Sequence, residues 1–330
     1  MKLLYLSCHE ALAYDEQRIL AELGHSVCVI GETTGYTRPF LPPVLSEAAF
    51  VDPGSIQRAQ QLLTEHGRVE KSFVDHFDAV FFVSRNDWIL DNWEAVKHSR
   101  VVCRLIGQSD DGTEIRLKPF VDQGMVMLGY SPFENRRFSI FSIRHTVRFY
   151  KDPDEWKGWN GSDPSVMTAC RFIDRDSECC NPTAYRRATN DIPHVLYGPG
   201  NDNFLGRQGA SRILDYEDLK KAYRDHRVYF YVGTRPATYT LNFIEAWMTG
   251  IPVVSLGPRF NTYEVPELIE QGVNGFYSDD ISLVEKYLKK IISDTDFARE
   301  IGSKGRQKAA EIFGKKGILE QWTSFFKSVS

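Results

Sequence analysis

The densest chemistry in the chain lies between Thr240 and Phe276, TLNFIEAWMTGIPVVSLGPRFNTYEVPELIEQGVNGF. Thr240 stands where a helix begins, and a helix N-terminus offers unsatisfied N–H groups and partial positive charge, a ready seat for an anion. Glu245 lies about one turn further in, and a carboxylate there can accept hydrogen bonds from vicinal hydroxyls such as those of a ribose. Gly250 ends the helix, Pro252–Leu256 reads as a buried parallel strand, and Gly257-Pro258 turns the chain out at its carboxyl end. Taken alone, a helix, a glycine and a Pro-Val-Val strand also suit any α/β protein.

Further polar groups follow other strands. ACRFIDRDSE places Arg171 and Arg175 after one strand, as forks for phosphate oxygens or as solvated partners of Asp174 and Asp176. VLYGPGNDN places Gly198 and Gly200 after another, either to let backbone approach a ligand or simply to turn the chain. His9 and Glu10 follow the first strand. His9 reads as a base or acceptor binder, or as a polar residue opening a helix. Gln108 and Ser109 follow the strand Val101–Ile106, Glu114 reads as a first-turn helix charge, and His25 sits in a helix-to-strand turn. Arg136, Arg137, Arg144, His145, Arg148 and Lys151 form a locally basic stretch, either a solvated face or a seat for an anionic acceptor.

The elements that must position these groups alternate. Strands are expected at Leu3–Ser7, Ser26–Ile30, Ala79–Val83, Val101–Ile106 and Met125–Leu128, with helices at Ala11–Leu23, Ile56–His66 and Trp88–His98. Phe149 to Pro164, rich in Pro, Gly, Asp and Trp, breaks the pattern as a linker or hinge. Alternation resumes with strands Ser165–Phe172, His194–Tyr197, Val228–Val232 and Pro252–Leu256. Helices are expected at Glu178–Thr189, Tyr216–His226, Thr240–Thr249 and Glu264–Glu270, then at Leu283–Ile292 and Phe297–Phe313. A last helix carries Trp322, Phe325 and Phe326. Such alternation argues for parallel sheets covered on both faces, with ligands outside the carboxyl ends of the strands.

The 330 residues suit about two domains. A net charge of −4 gives no global attraction to nucleic acid or anionic lipid. No window is apolar enough to span a membrane, and the first residues do not read as a signal peptide. Cys8, Cys28 and Cys103 lie in or at the ends of apolar strands as small buried hydrophobes. With Cys170 and the vicinal Cys179 and Cys180 they form neither a zinc pattern nor a disulfide framework, so a reducing cytoplasm is the expected setting.

The run Glu245-Ala246, Gly250, Pro252-Val253-Val254, Glu264, Glu267, Gly272 and Asn274-Gly275-Phe276 resembles the donor-binding half of the GT-B glycosyltransferases, in particular the large retaining group that uses nucleotide-sugars. That group carries two glutamates separated by seven residues. The likeness covers roughly the last 100 residues closely and the N-terminal half by architecture. It implies two Rossmann-like, doubly wound domains facing across a cleft. Residues 1–150 would bind the acceptor and 151–312 the nucleotide-sugar, and a helix over 313–330 would pack back on the first domain. It implies backbone contacts from Tyr239, Thr240 and Leu241 to the diphosphate, neutralisation by Arg171 and Arg175, and a ribose contact at Glu245, with Gly198 beside the donor. His9, Gln108 and Ser109 would face the acceptor or the transferring sugar. The first glutamate of the pair falls at Ala237, which cannot bond a sugar, and its neighbour Thr238 could do so only weakly.

The implied activity is hexosyl transfer from a nucleotide diphosphate-sugar such as a UDP-sugar, with retention and with no cofactor or metal required. The acceptor stays open among glycans, lipid-linked sugars, small molecules and DNA, and peripheral membrane contact stays open with it. Three other readings stand beside this one: a catalytically silent nucleotide-sugar-binding module, a sugar-nucleotide epimerase of the same fold, and a DNA-base glucosyltransferase.

Overall fold

The computed structural model describes the chain apart from residues 32–49, 84, 108–110, 138–142, 175–179, 202–203, 205–210, 213, 235–236 and 330, and the side chains of 111, 114, 136, 137, 211 and 212. It divides into two compact units, Met1–Tyr150 with Ile318–Ser330, and Lys151–Gly317.

Among the described residues, unit 1 holds six strands: β1 (Lys2–Ser7), β2 (Ser26–Ile30), β3 (Ala79–Val83), β4 (Arg100–Arg104), β5 (Val126–Gly129) and β6 (His145–Thr146). All pair parallel in the order β2-β1-β3-β4-β5-β6. Its helices are α1 (Glu10–Glu22), α2 (Pro53–His66), α3 (Lys71–Val74), α4 (Asn86–Val96), α5 (Asp111–Asp122) and α6 (Glu134–Arg137). Strands β1 and β3 are buried almost throughout, which is why they read as unbroken apolar runs. The Cys28 and Cys103 thiols are pushed up to about 12, burial being the leading cause, so they pack as inert hydrophobes.

Unit 2 has the second parallel sheet, order β12-β11-β10-β7-β8-β9. Its strands are β7 (Asp163–Ala169), β8 (His194–Tyr197), β9 (Ser211–Arg212), β10 (His226–Tyr231), β11 (Val253–Leu256) and β12 (Phe276–Ser278). Its helices are α7 (Pro182–Thr189), α8 (Tyr216–Asp225), α9 (Leu241–Thr249), α10 (Val265–Leu268), α11 (Ile281–Ser293) and α12 (Thr295–Phe313). Helix α9 stops at Gly250, whose φ of +94° suits a residue without Cβ. It packs so closely on α12 that a Cβ on Gly302 would come 2.1 Å from the Gly250 carbonyl oxygen.

The last helix, α13 (Lys315–Val329), starts in unit 2 and runs into unit 1, where Trp322 and Phe325 meet Phe81 of β3 at 6.1 and 6.4 Å between ring centroids. Arg104 sits 5.7 Å from the Trp322 ring and pairs with Glu16 at 2.6 Å, both side chains buried. A buried guanidinium is tolerable there because Glu16 and the Gly129 carbonyl accept its hydrogens.

Candidate functional site

In the second sheet the winding reverses between β7 and β10. From β7 the chain builds outward through β8 and β9, and from β10 through β11 and β12. The loops leaving β7 and β10 therefore separate at the carboxyl edge, where an open α/β sheet forms its crevice. Arg171 lies on the first loop, and Tyr239, Thr240 and Leu241 lie on the second, at the start of α9.

Two asparagines tie these loops across the reversal. Asn242 Nδ2 donates to the Ala169 carbonyl at 3.0 Å, joining the first turn of α9 to the end of β7. Asn181 Nδ2 donates to the Val232 carbonyl at 2.7 Å, joining the start of α7 to the end of β10, and to the Phe260 carbonyl at 3.3 Å. The N-termini of α7 and α9 are thus held at the same edge. Thr240 is extended at the N-cap (φ −122°, ψ 165°) without a side-chain cap bond, so its hydroxyl does not satisfy the first-turn N–H groups.

The loop after β7 is stitched to the loop after β8. Cys170 N–H donates to Tyr197 O and Phe172 N–H to Pro199 O, each at 2.9 Å. The fully buried Asn201 donates to Cys170 O (2.7 Å) and Gly198 O (3.0 Å) and accepts from Ile173 N–H (2.9 Å). Under these ties Phe172 adopts φ +49°, a left-handed conformation that costs a bulky residue about 1–3 kcal/mol. Gly198 and Gly200 also have positive φ, and a Cβ on them would come 2.4 Å from Cys170 O and 2.0 Å from the Phe172 ring. The glycines at this edge answer to loop-on-loop packing. Arg171 is left exposed at the tip.

The remaining expected residues fall as follows. Tyr239 is fully buried with its ring 5.4 Å from Phe313, and Leu241 is buried. Ala237 is buried, and its neighbour Thr238 donates to Glu264 Oε2 at 3.3 Å, both side chains also buried. The Glu245 carboxylate is fully buried and meets Lys151 Nζ at 2.7 Å. Lys151 N–H donates to Phe313 O, so the start of unit 2 and the end of α12 converge on α9. Gln108, Ser109 and Arg175 lie outside the described residues, as do the side chains of Glu114, Arg136 and Arg137.

His9 is in unit 1, after β1 and beside the reversal between β1 and β3. Its Nδ1 accepts the Leu12 N–H at 3.3 Å, capping α1. His9 thus opens α1, the helix-start role that the sequence also offered for it.

Sequence reasoning missed Asn181, Asn201 and Asn242, and it read Lys151 as part of a solvated or acceptor-binding basic stretch, whereas its side chain is fully buried against Glu245. Only Asn181, directly before Pro182, carries a local helix-start signal. Among the described residues, no group of three or more His, Cys, Asp or Glu is placed to hold a metal ion. No described helix is long and apolar enough to cross a membrane.

The chain matches no family model, and no curated protein sequence matches it. Solved structures do. A sucrose-phosphate synthase from Thermosynechococcus elongatus superposes with a TM-score of 0.69 at 13% identity, covering 100% of this chain and 99% of that one. HepE of Anabaena, solved with UDP and glucose, gives 0.68 at 14%, covering 99% and 100%. A glycosyltransferase from Rickettsia africae gives 0.69 at 12%, covering 99% and 98%. With its two parallel, doubly wound sheets, the chain has the GT-B fold.

Proposed function

We propose that the chain is a glycosyltransferase that takes a hexosyl group from a nucleotide diphosphate-sugar bound at the carboxyl edge of the unit 2 sheet. The observation that carries this reading is the convergence, at the reversal between β7 and β10, of the α9 N-terminus and Arg171. Together they supply backbone N–H donors and a guanidinium for a leaving diphosphate, the charge that develops as the glycosidic bond breaks. These groups stabilise the leaving charge without a metal. HepE, of the same fold, is solved with UDP and with UDP-glucose, which favours a uridine donor.

Tyr239, Thr240 and Leu241 contribute backbone to the diphosphate, Arg171 and Arg175 neutralise it, and Gly198 lines the donor. Glu245, fully buried against Lys151, holds α9 in place, and a ribose contact from it requires the carboxylate to turn from that partner to the hydroxyls. Unit 1 takes the acceptor, with His9, Gln108 and Ser109 as the residues that contact it. Transfer proceeds with retention, in the cytoplasm, at a membrane surface where the acceptor is lipid-linked.

Ala237 favours a second reading, a module that binds the nucleotide-sugar without transferring it, since a carboxylate expected at the sugar is replaced by a methyl group. Calorimetry with UDP, GDP and ADP, followed by hydrolysis and transfer assays with the matching sugars, separates the two. Tight binding of one nucleotide with turnover of its sugar is expected. Binding without turnover over a broad acceptor panel would establish the silent module, and release of an epimerised sugar nucleotide would replace transfer by epimerisation.

A further inference from the structure

We propose that Cys170 and Cys180 form a reversible redox site, closed to a disulfide by hydrogen peroxide and reopened by a small dithiol. Their Sγ atoms lie 3.3 Å apart, and both residues are buried, at 7% and 3% exposure. Closing the gap to a disulfide needs an approach of about 1.2 Å. The two sulfurs are held face to face by their surroundings. Cys170 is fixed at its N–H by Tyr197 O and at its carbonyl by Asn201. Cys180 precedes Asn181, which is fixed by Val232 O and Phe260 O. Cys28 and Cys103, by contrast, lie in the separate strands β2 and β4 of unit 1.

The chemistry balances with peroxide as the two-electron oxidant. The Cys170 sulfur, in the more exposed residue, attacks one peroxide oxygen. An S–O bond forms, the O–O bond breaks, and the leaving hydroxide takes the thiol proton as water. The Cys180 sulfur then attacks the Cys170 sulfenic acid, an S–S bond forms, the S–O bond breaks, and a second water leaves with the Cys180 proton. Two thiols lose two electrons and two protons, and one peroxide becomes two waters. Dithiothreitol reverses the bridge by exchange, its own two thiols ending as a cyclic disulfide.

The bridge would close a ring from residue 170 to residue 180 around the loop that carries Arg171. This consequence rests on the reading of that loop as a diphosphate contact. An ångström-scale pull at its root misplaces the guanidinium, and UDP is expected to bind about 10-fold more weakly to the oxidised form.

The test uses the full chain, reduced, treated with hydrogen peroxide, alkylated, digested and analysed by mass spectrometry. The proposal expects a peptide pair joined through positions 170 and 180, two hydrogens lighter than the thiols and restored by dithiothreitol. Cys170→Ser and Cys180→Ser should each abolish it, and Cys179→Ser should leave it. A bridge through Cys179, or sulfinic acid with no bridge in protein that still melts cooperatively, would overturn it. Calorimetry with UDP on both forms tests the coupling separately. A confirmed bridge with equal UDP affinity refutes the coupling alone. No UDP binding by the reduced protein refutes the donor-site reading, while the peptide result still decides the redox site.

Discussion

Replacing Lys151 by Met tests how α9 is held. Lys151 Nζ and the Glu245 carboxylate meet at 2.7 Å with neither side chain exposed. At that separation, and with an effective dielectric near 20, their attraction is roughly 6 kcal/mol, and it is largely offset by the cost of taking two charges from water. Removing the ammonium leaves the second half of that balance alone, a buried carboxylate without its counter-charge. Such losses cost about 3–5 kcal/mol. For a unit of this size that corresponds to a fall in Tm of roughly 6–20 °C. Pairing Lys151→Met with Glu245→Gln removes both charges with little change of volume and should recover most of the loss. Thermal and urea denaturation of the three proteins measure this directly. A single variant that melts within about 1 °C of the parent, or a double variant no more stable than the single one, would refute the account of a buried pair anchoring the helix. The double variant also asks about the ligand. If the carboxylate receives ribose hydroxyls, its UDP affinity should fall about tenfold or more although its stability is restored.

Arg171→Ala should leave stability within about 0.5 kcal/mol, because the side chain is exposed, yet weaken UDP binding by about 1.5–3 kcal/mol in titration calorimetry. Gly198→Ala should cost more than about 2 kcal/mol in urea denaturation, since its Cβ would sit 2.4 Å from the Cys170 carbonyl oxygen at φ +127°. For Glu155, burial alone would raise the pKa, but hydrogen bonds from Tyr216 (2.5 Å) and Lys220 (3.0 Å) outweigh it and hold the carboxyl below 4.5. Its folded pKa is depressed, so its stabilisation is present above pH 4.5 and is lost as the pH falls through the folded value. Acid denaturation of Glu155→Gln should start from a lower stability at pH 7 and show a shallower slope below pH 4.5.

What could be read from the sequence follows from how locally each feature is determined. Ser26–Ile30, Ala79–Val83 and His194–Tyr197 have the same bounds in sequence pattern and structure, because short apolar runs flanked by polar residues leave a strand little choice. Helix α5 was signalled only by Glu114 as a first-turn charge, since it runs through Pro119, which normally ends a helix, and β12 was not signalled because three residues carry no period. The strand expected over Ser165–Phe172 ends at Ala169, since the ties from Tyr197, Pro199 and Asn201 turn the chain at Cys170 and force Phe172 into the left-handed region. At the site, the α9 N-terminus was legible from its own segment. The bonds from Asn242 to Ala169 and from Glu245 to Lys151 were not, because each joins residues more than 70 positions apart and neither end signals its partner. His9 shows the same limit, since its residue type suits a base and only the Leu12 N–H bond reveals its place as the cap of α1.

The aromatic residues of α13 belong to unit 1, although about half of the chain, residues 151–317, separates them from the rest of it. On a ribosome adding about 5–20 residues per second, Phe81 and its sheet would wait roughly 10–30 s for Trp322 and Phe325 to emerge. The later-synthesised unit, being continuous, can finish first. The earlier one would stay an open half-core whose uncovered face invites chaperones or aggregation until the last helix arrives. A nascent chain arrested just short of Ile318 would therefore display a finished second unit beside an unfinished first one, which limited proteolysis of stalled ribosome complexes could reveal.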